Sequence, residues 1–507
     1  CPLITHPHSS CTHSRTHYYL LYSSSTTITI MASDQEGAFH WFENLCDEFS
    51  RSPDAATAEI ARFRETEEAY TLSQIVIQNS TKSHVQFHAL SVLQHSYLTH
   101  YKKFTSWQNT ELRVFLWSVI SEKIEQFDAS VATKLIHVFA IVLKRNWMTE
   151  TGEDRSGVFS MISGYVSDGI GGGEGEPGRM KVAAKVISTM LEVFAKKKRT
   201  PDESIGYSPE LQVTIHQCFQ EDSEFCGLIA CYQLSLQFLS KAFDLASTKL
   251  YTTAESGGVC FDYKIASTVR TVYVLMTDLL GWDFDTPTSA SSGNNGESDE
   301  AFECGAVHLP ASWVSLAGGA TAFNGILAQL LECYELIRIA LFGKAVVSTS
   351  ISDDDVTIRS FLFRQGCSFV GNGASAGAMQ SIRIAGEYMS SIRQLLLTFA
   401  SFSSSSSPAN YSSSNGLFAS DSDKVGFSNH VLLQMITVLG YGVTALVSGR
   451  SGHYNTIGSQ VLPEMVEDLL LNEVEHSIYI LIRLFGNFHL TVIGQTTTFE
   501  SFMVNEA

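Results

Sequence analysis

A chain of 507 residues with 44% hydrophobic and 17% charged side chains is too apolar to be disordered and too long for one core, so several domains or a repetitive stack is expected. The 33 Lys and Arg against 52 Asp and Glu leave a net charge of −19, which disfavours nucleic acid and anionic membrane surfaces and suits basic protein surfaces as partners. Ten cysteines without a CxxC pair or a small-domain framework argue against structural zinc and a disulfide scaffold; a reducing compartment fits.

The residues before Met31 contain no Asp or Glu, one Arg and an apolar cluster too short for a signal-peptide core, so residues 1–30 read as a non-native, disordered leader. Its His6, His8, Cys11, His13 and His17 lack the pairing of a metal site. From Met31 to Ala507 the sequence reads as one helical stack. Ser52-Pro53 opens SPDAATAEIARFRETEE with a cap residue followed by proline at the first helical position. AYTLSQIVIQNS, SHVQFHALSVLQHSYLTHY and WQNTELRVFLWSVISEKIEQF follow as amphipathic segments of about 12 to 20 residues. Within SHVQFHALSVLQHSYLTHY, His84, His88 and His95 read as polar-face or half-buried histidines rather than metal ligands, since no HExxH accompanies them.

LIHVFAIVLKRNW, Leu135 to Trp147, is too short an apolar run to cross a bilayer. Extended upstream to DASVATKLIHVFAIVLKRNW, with Asp128 or Ser130 as cap and cations in the last turn, it predicts a helix covered on more than one side.

The helical pattern continues through GRMKVAAKVISTMLEVFAKKKR, SPELQVTIHQCFQ, SEFCGLIACYQLSLQFLSKAFDLA and FDYKIASTVRTVYVLMTDLLGW. In the third of these, Cys226 and Cys231 read as small buried hydrophobes. After a break it resumes from FNGILAQLLECYELIRIALFG to VEHSIYILIRLFGNFHLTVI, giving about fifteen helices and no convincing strand alternation. Low-complexity stretches at 167–178, 285–300 and 401–423 cannot bury a core and read as loops between helices. Pairs of helices at intervals of about 30 to 50 residues, without a strict motif, predict an all-α solenoid of the HEAT or armadillo kind.

Chemical motifs are offered and declined. GGGEGEPGRMK lacks the Lys and Ser/Thr of a phosphate loop, and Glu174 and Glu176 would repel a phosphate. GNGASAG (371–377) does not fit GxGxxG. Lys196 to Arg199, before Thr200-Pro201, admits a nuclear localisation element or, more plainly, a cationic helix end before a proline stop. With no GxSxG and no outstanding carboxylate pair, the sequence offers no catalytic residue, cofactor site or metal site, and no enzyme is expected.

The stretch from Phe63 to Trp147 resembles the N-terminal repeats of the exportin branch of the karyopherin-β (importin-β) family. The resemblance rests on Phe63-Arg64 closing a helix, Phe87-His88-Ala89, Leu112-Arg113-Val114-Phe115-Leu116, and Ala140 to Trp147, where Asn146 replaces a glycine of the family. Leu280-Gly281-Trp282-Asp283-Phe284 and then Pro310-Ala311-Ser312-Trp313 are similar to a helix end and a helix start of the family across a longer loop. Ile478 to Ile493 resembles a later repeat weakly. Within the branch the exportin-4 group is the best match and the exportin-7 group the nearest alternative.

The resemblance implies a HEAT superhelix, corresponding to the N-terminal part of longer chains. It further implies binding of the Ran GTPase in its GTP form and of protein cargo, passage through nuclear pores lined by FG-repeat proteins, and shuttling between nucleus and cytoplasm. Helices near 53–66, 83–101 and 128–147 are then the expected second helices of their repeats, with Phe87, Ala89 and Trp147 as packing residues and no partner-contact residue assigned. The competing reading is a HEAT or armadillo scaffold of a cytoplasmic complex without a GTPase partner.

Overall fold

The structure, a computed structural model, describes residues 28–167, 176–195, 208–222, 226–253, 259–282 and 311–318, with scattered positions between 322 and 337, between 384 and 398, and Glu475. The loops at 285–300 and 401–423, the glycine segment 371–377, the basic run 196–199 and Ile478 to Ile493 lie outside the described residues. The chain divides into two compact units, residues 1–102 with 127–131, and residues 103–126 with 132–507.

In the first unit, α1 (Ile28–Asp47), α2 (Pro53–Phe63), α3 (Glu68–Asn79) and α4 (Ser83–His100) pack together. Because α1 begins at Ile28, helix already occupies the end of the segment read as leader; residues 1–27, with their histidines, are not among those described. Pro53 occupies the first position of α2 as expected, although Ser52 makes no capping hydrogen bond with its side chain. The Phe63 ring closes α2 against Trp41 and Phe42 of α1, at 5.2 and 5.7 Å between centroids. Helices α3 and α4 fold back on each other across residues 80–82, and α4 buries Val85, Ala89, Leu90, Val92, Leu93, Tyr97 and Leu98.

The second unit contains α5 (Ser106–Lys123), most of α6 (Ala129–Asn146), α7 (Gly152–Ser167), α8 (Glu176–Phe194), α9 (Pro209–Glu221), α10 (Gly227–Thr248), α11 (Tyr263–Leu280) and the short α12 (Ala311–Leu316). Helix α5 begins in a reciprocal capping box, in which Thr105 Oγ1 accepts from Gln108 N–H and the Gln108 side chain accepts from Thr105 N–H. Helix α6 begins directly after Asp128 and carries Lys144 and Arg145 in its last turn. Its residues 138–143 are all buried, as a helix covered on more than one side requires.

The packing partners follow a rule. Helix α7 packs on α8 and α10 on α11, while between the pairs α7 meets α10 and α8 meets α11. Three contacts fix the direction of the last pair. Thr268 Oγ1 donates to the Pro177 carbonyl, Lys181 Nζ to Ser267 Oγ, and Ser188 Oγ to Asp278 Oδ2, so α8 and α11 run side by side in the same sense. Upstream, Trp117 of α5 touches Phe139 of α6 and Tyr165 of α7 at 5.7 Å each, and Lys144 of α6 reaches Val193 of α8. Downstream, Tyr273 of α11 packs on Tyr388 at 5.9 Å, and Tyr232 of α10 stacks on Trp313 of α12 at 4.2 Å. Helices α5, α7 and α10 therefore form one row and α6, α8 and α11 the other, with α9 added beside α8 and α10.

Three features of this unit depart from the sequence reading. Helix α7 occupies a stretch in which no helix was expected, and α8 starts at Glu176, inside the 167–178 loop. Between α10 and α11 lies a two-stranded antiparallel hairpin, β1 (Tyr251–Thr253) and β2 (Val259–Phe261), where no strand was expected. It links two helices and leaves the helical character of the unit intact.

Candidate functional site

The residues that close α6 meet the ends of four other elements in a cluster of charges and aromatic rings. It starts from sequence: an apolar helix ending in Lys144-Arg145-Asn146-Trp147 must hide a tryptophan and find partners for its last cations. Lys144 is buried, and its Nζ donates to the Val193 carbonyl at 3.0 Å near the end of α8, 6.0 Å from the Phe194 ring centroid. That is a cation on the last carbonyls of a neighbouring helix, where the helix dipole is negative.

Trp147 is fully buried. Phe194 and Phe219 meet its ring edge-on at 5.0 and 5.2 Å, and the Arg155 guanidinium lies 5.6 Å over it. Arg155, in the first turn of α7, pairs with Asp222 just after α9, lies within 3.6 Å of Cys218 Sγ, and donates to the Glu150 carbonyl through Nε and Nη2. The Glu150 carboxylate in turn accepts from Arg113 Nη1 of α5, with both side chains about nine-tenths buried. Burial pushes the Glu150 carboxyl above its ordinary range, and the Arg113 charge opposes that rise without reversing it.

The ring system extends to the end of α11. Phe194 stacks on Phe219 at 4.2 Å, Phe219 lies 5.7 Å from Trp282, and Trp282 stacks on His216 at 4.8 Å. Trp282 Nε1 donates to Gln220 Oε1 at 3.2 Å. His216 Nδ1 is 3.1 Å from the Phe194 carbonyl; since a carbonyl only accepts, the proton sits on Nδ1. Chemically the arrangement is a clamp. Paired guanidinium groups and aromatic edges lock the ends of α6, α8, α9 and α11 to the start of α7.

Trp147, Trp282 and Trp313 all lie buried at helix ends. Arg113, between the buried Leu112 and Leu116, is a clamp residue, whereas Val114 is exposed. Glu150, Arg155, His216 and Asp222 were not singled out by sequence. One signal was present: Thr151-Gly152-Glu153-Asp154 has the capping-box spacing, and Thr151 and Asp154 do cap each other at the start of α7.

In the first unit, the three histidines of α4 have separate surroundings. His84 Nε2 lies 2.8 Å from Asp47 Oδ1, His95 Nε2 2.7 Å from Glu65 Oε1, and the His88 ring stacks on Phe49 at 4.3 Å. Burial, with the neighbouring His84, holds His88 below its ordinary value. Ala89 is buried, whereas Phe87, expected as a packing residue, is 38% exposed and meets the His88 ring edge-on at 6.2 Å. Cys226 and Cys231 are buried in the second unit, as expected of small hydrophobes, and burial pushes the Cys231 thiol up.

Among the described residues, no group of three or more His, Cys, Asp or Glu is placed to hold a metal ion, and no helix is long and apolar enough to cross a membrane. No protein-family model matches this chain, and no curated protein matches it.

Proposed function

We propose that the protein is a transport receptor of the exportin type, most similar to the exportin-4 group with the exportin-7 group next, whose helix pairs present a protein-binding surface rather than a catalytic centre. The observation that carries this reading is the stacking of α7 and α8 on α10 and α11, like helix against like, with α8 and α11 running in the same sense. Such stacking is compatible with a HEAT or armadillo solenoid, whose repeats contact only their neighbours and expose long faces to globular partners. The specific branch is drawn from the sequence resemblance alone, in which the order of the tryptophans at 147, 282 and 313 takes part. In this reading the protein binds Ran in its GTP form together with protein cargo, interacts with FG-repeat pore proteins, and shuttles between nucleus and cytoplasm. It inserts into no membrane and takes no nucleic acid or cofactor.

The decisive experiment compares binding of the purified chain to Ran loaded with a non-hydrolysable GTP analogue and with GDP, with and without nuclear extract as a source of cargo. A preference for the GTP form is the expected result. Equal binding to both forms, or none, would favour the scaffold without a GTPase partner.

A further inference from the structure

On a chain this acidic, cations gathered on one face stand out. The half-buried Lys181 and the exposed Lys185 sit one turn apart on α8, and α11 brings Lys264, Ser267 and Arg270 alongside. The Lys181 ammonium donates to Ser267 Oγ at 2.7 Å, which fixes the two helices in register at this point. Burial, and then the charges of Lys185 and Arg270, hold Lys181 below its ordinary value, so the cations feel one another across the groove. Among the described residues, the one ion pair within this group joins Arg270 Nη1 to Glu387 Oε2 at 3.1 Å. Lys185 and Lys264 are exposed and make no ion pair among the described residues. The acids of the same two helix faces, Glu192 and Asp278, lie toward the C-terminal ends, with Asp278 accepting from Ser188.

We propose that the ridge formed by Lys181, Lys185, Lys264 and Arg270 is a docking site for an Asp- and Glu-rich segment of a partner protein. Successive helical turns set the α8 cations about 5 Å apart, and alternate carboxylates of an extended peptide repeat at about 7 Å, a spacing that long lysine side chains span. Among the residues whose burial is described, neither α8 nor α11 carries an exposed large hydrophobic residue, so this part of the ridge lacks the aromatic platforms of a single-strand nucleic-acid site and the apolar wedge of a membrane-surface helix. The net charge of −19 also opposes approach to an anionic bilayer, whereas a short acidic segment senses mainly the cations within a Debye length. The ridge serves a transport receptor and a scaffold equally, so the inference stands apart from the GTPase.

The test uses the full chain and a fluorescein-labelled peptide of alternating Asp and Glu, read by anisotropy at low and near-physiological salt. Binding by the wild type is expected to weaken by about fivefold in Lys185→Glu and to stay within about twofold in Lys102→Glu, a charge reversal in the other unit. Absence of binding by the wild type, or an equal loss in both variants, would overturn the proposal. So would tighter binding of phosphatidylserine vesicles or poly-U RNA than of the peptide with the same dependence on Lys185.

Discussion

Two carboxylates on the two units make the same kind of bond under opposite conditions. Asp47, at the end of α1, is 42% exposed in its side chain and binds Lys82 at 2.7 Å and His84 at 2.8 Å, which hold its carboxyl below the ordinary value. Glu150, after α6, is 9% exposed and binds Arg113, yet burial raises its carboxyl above the ordinary value. The first contact strengthens a charge that water already stabilises. The second rescues a charge that the fold has removed from water. The Asp47 contact is thus adjustable, and the Arg113–Glu150 contact is committed.

Four substitutions break or sharpen this contrast. Trp147→Ala is expected to have the largest effect, about 4 kcal/mol, because it empties the ring cluster on which four helix ends converge. Hydrogen exchange should show protection lost across α6 to α9 and retained in α1 to α4; uniform loss in both units would mean that the clamp does not belong to the second unit alone. Arg113→Leu follows at about 3 kcal/mol at neutral pH, since it strands a buried carboxylate. The sign follows from the raised carboxyl. Stability owed to Glu150 is complete below its unfolded value and is lost as pH rises through the higher folded value, so the Arg113→Leu deficit should shrink on acidification. A urea midpoint difference that does not change from neutral pH to about pH 4 would refute it.

Gly227→Ala is next, at about 2 kcal/mol. Gly227 opens α10 with a φ of 68°, and a Cβ there would fall on the Phe219 carbonyl oxygen and within 2.7 Å of Asp222 Cβ. Both neighbours belong to the clamp, so the strain would be felt at the Arg155 pair. Thermal unfolding followed at the tryptophans should show it, and an unchanged midpoint would mean that the α9 to α10 bend yields without cost.

The helices were legible in the sequence where apolar spacing, a cap and a stop agreed. Pro53 and Pro209 sit at first helical positions, Ser208 accepts from Leu211 N–H, and Asp262 caps α11 through two backbone N–H groups. Helix α7 escaped because Gly152, Gly157 and Gly164 weaken its local preference, while Val158, Phe159, Ile162 and Val166 supply the buried face. The hairpin escaped because three-residue strands carry too little alternation to register. The clamp was half legible. Trp147 and Trp282 announced themselves as aromatic residues at helix ends, but their meeting with Arg155, Asp222 and His216 depends on contacts dozens of residues apart, which no local pattern encodes.

The smallest expected effect lies at Asp47, and it separates the two kinds of contact most cleanly. Its carboxyl is held down first by the hydrogen bond from Lys82 and next by that from His84, so its contribution is present above the ordinary value of 3.8 and is lost as pH falls through the lower folded value. Asp47→Asn should therefore cost slightly at neutral pH, and wild type and variant should converge in strong acid, in the same direction as the Arg113→Leu trend but confined to lower pH. Salt provides the sharper distinction. Both Asp47 and Lys82 are open to water, so added salt should erase the Asp47→Asn difference while leaving the Arg113→Leu deficit almost unchanged. Urea midpoints of the two variants across a salt series measure this directly. An Asp47→Asn cost that persists at high salt would mean that Asp47 acts through packing around Cys46, whose thiol burial and the nearby carboxylates push up to about 12, rather than through its charge.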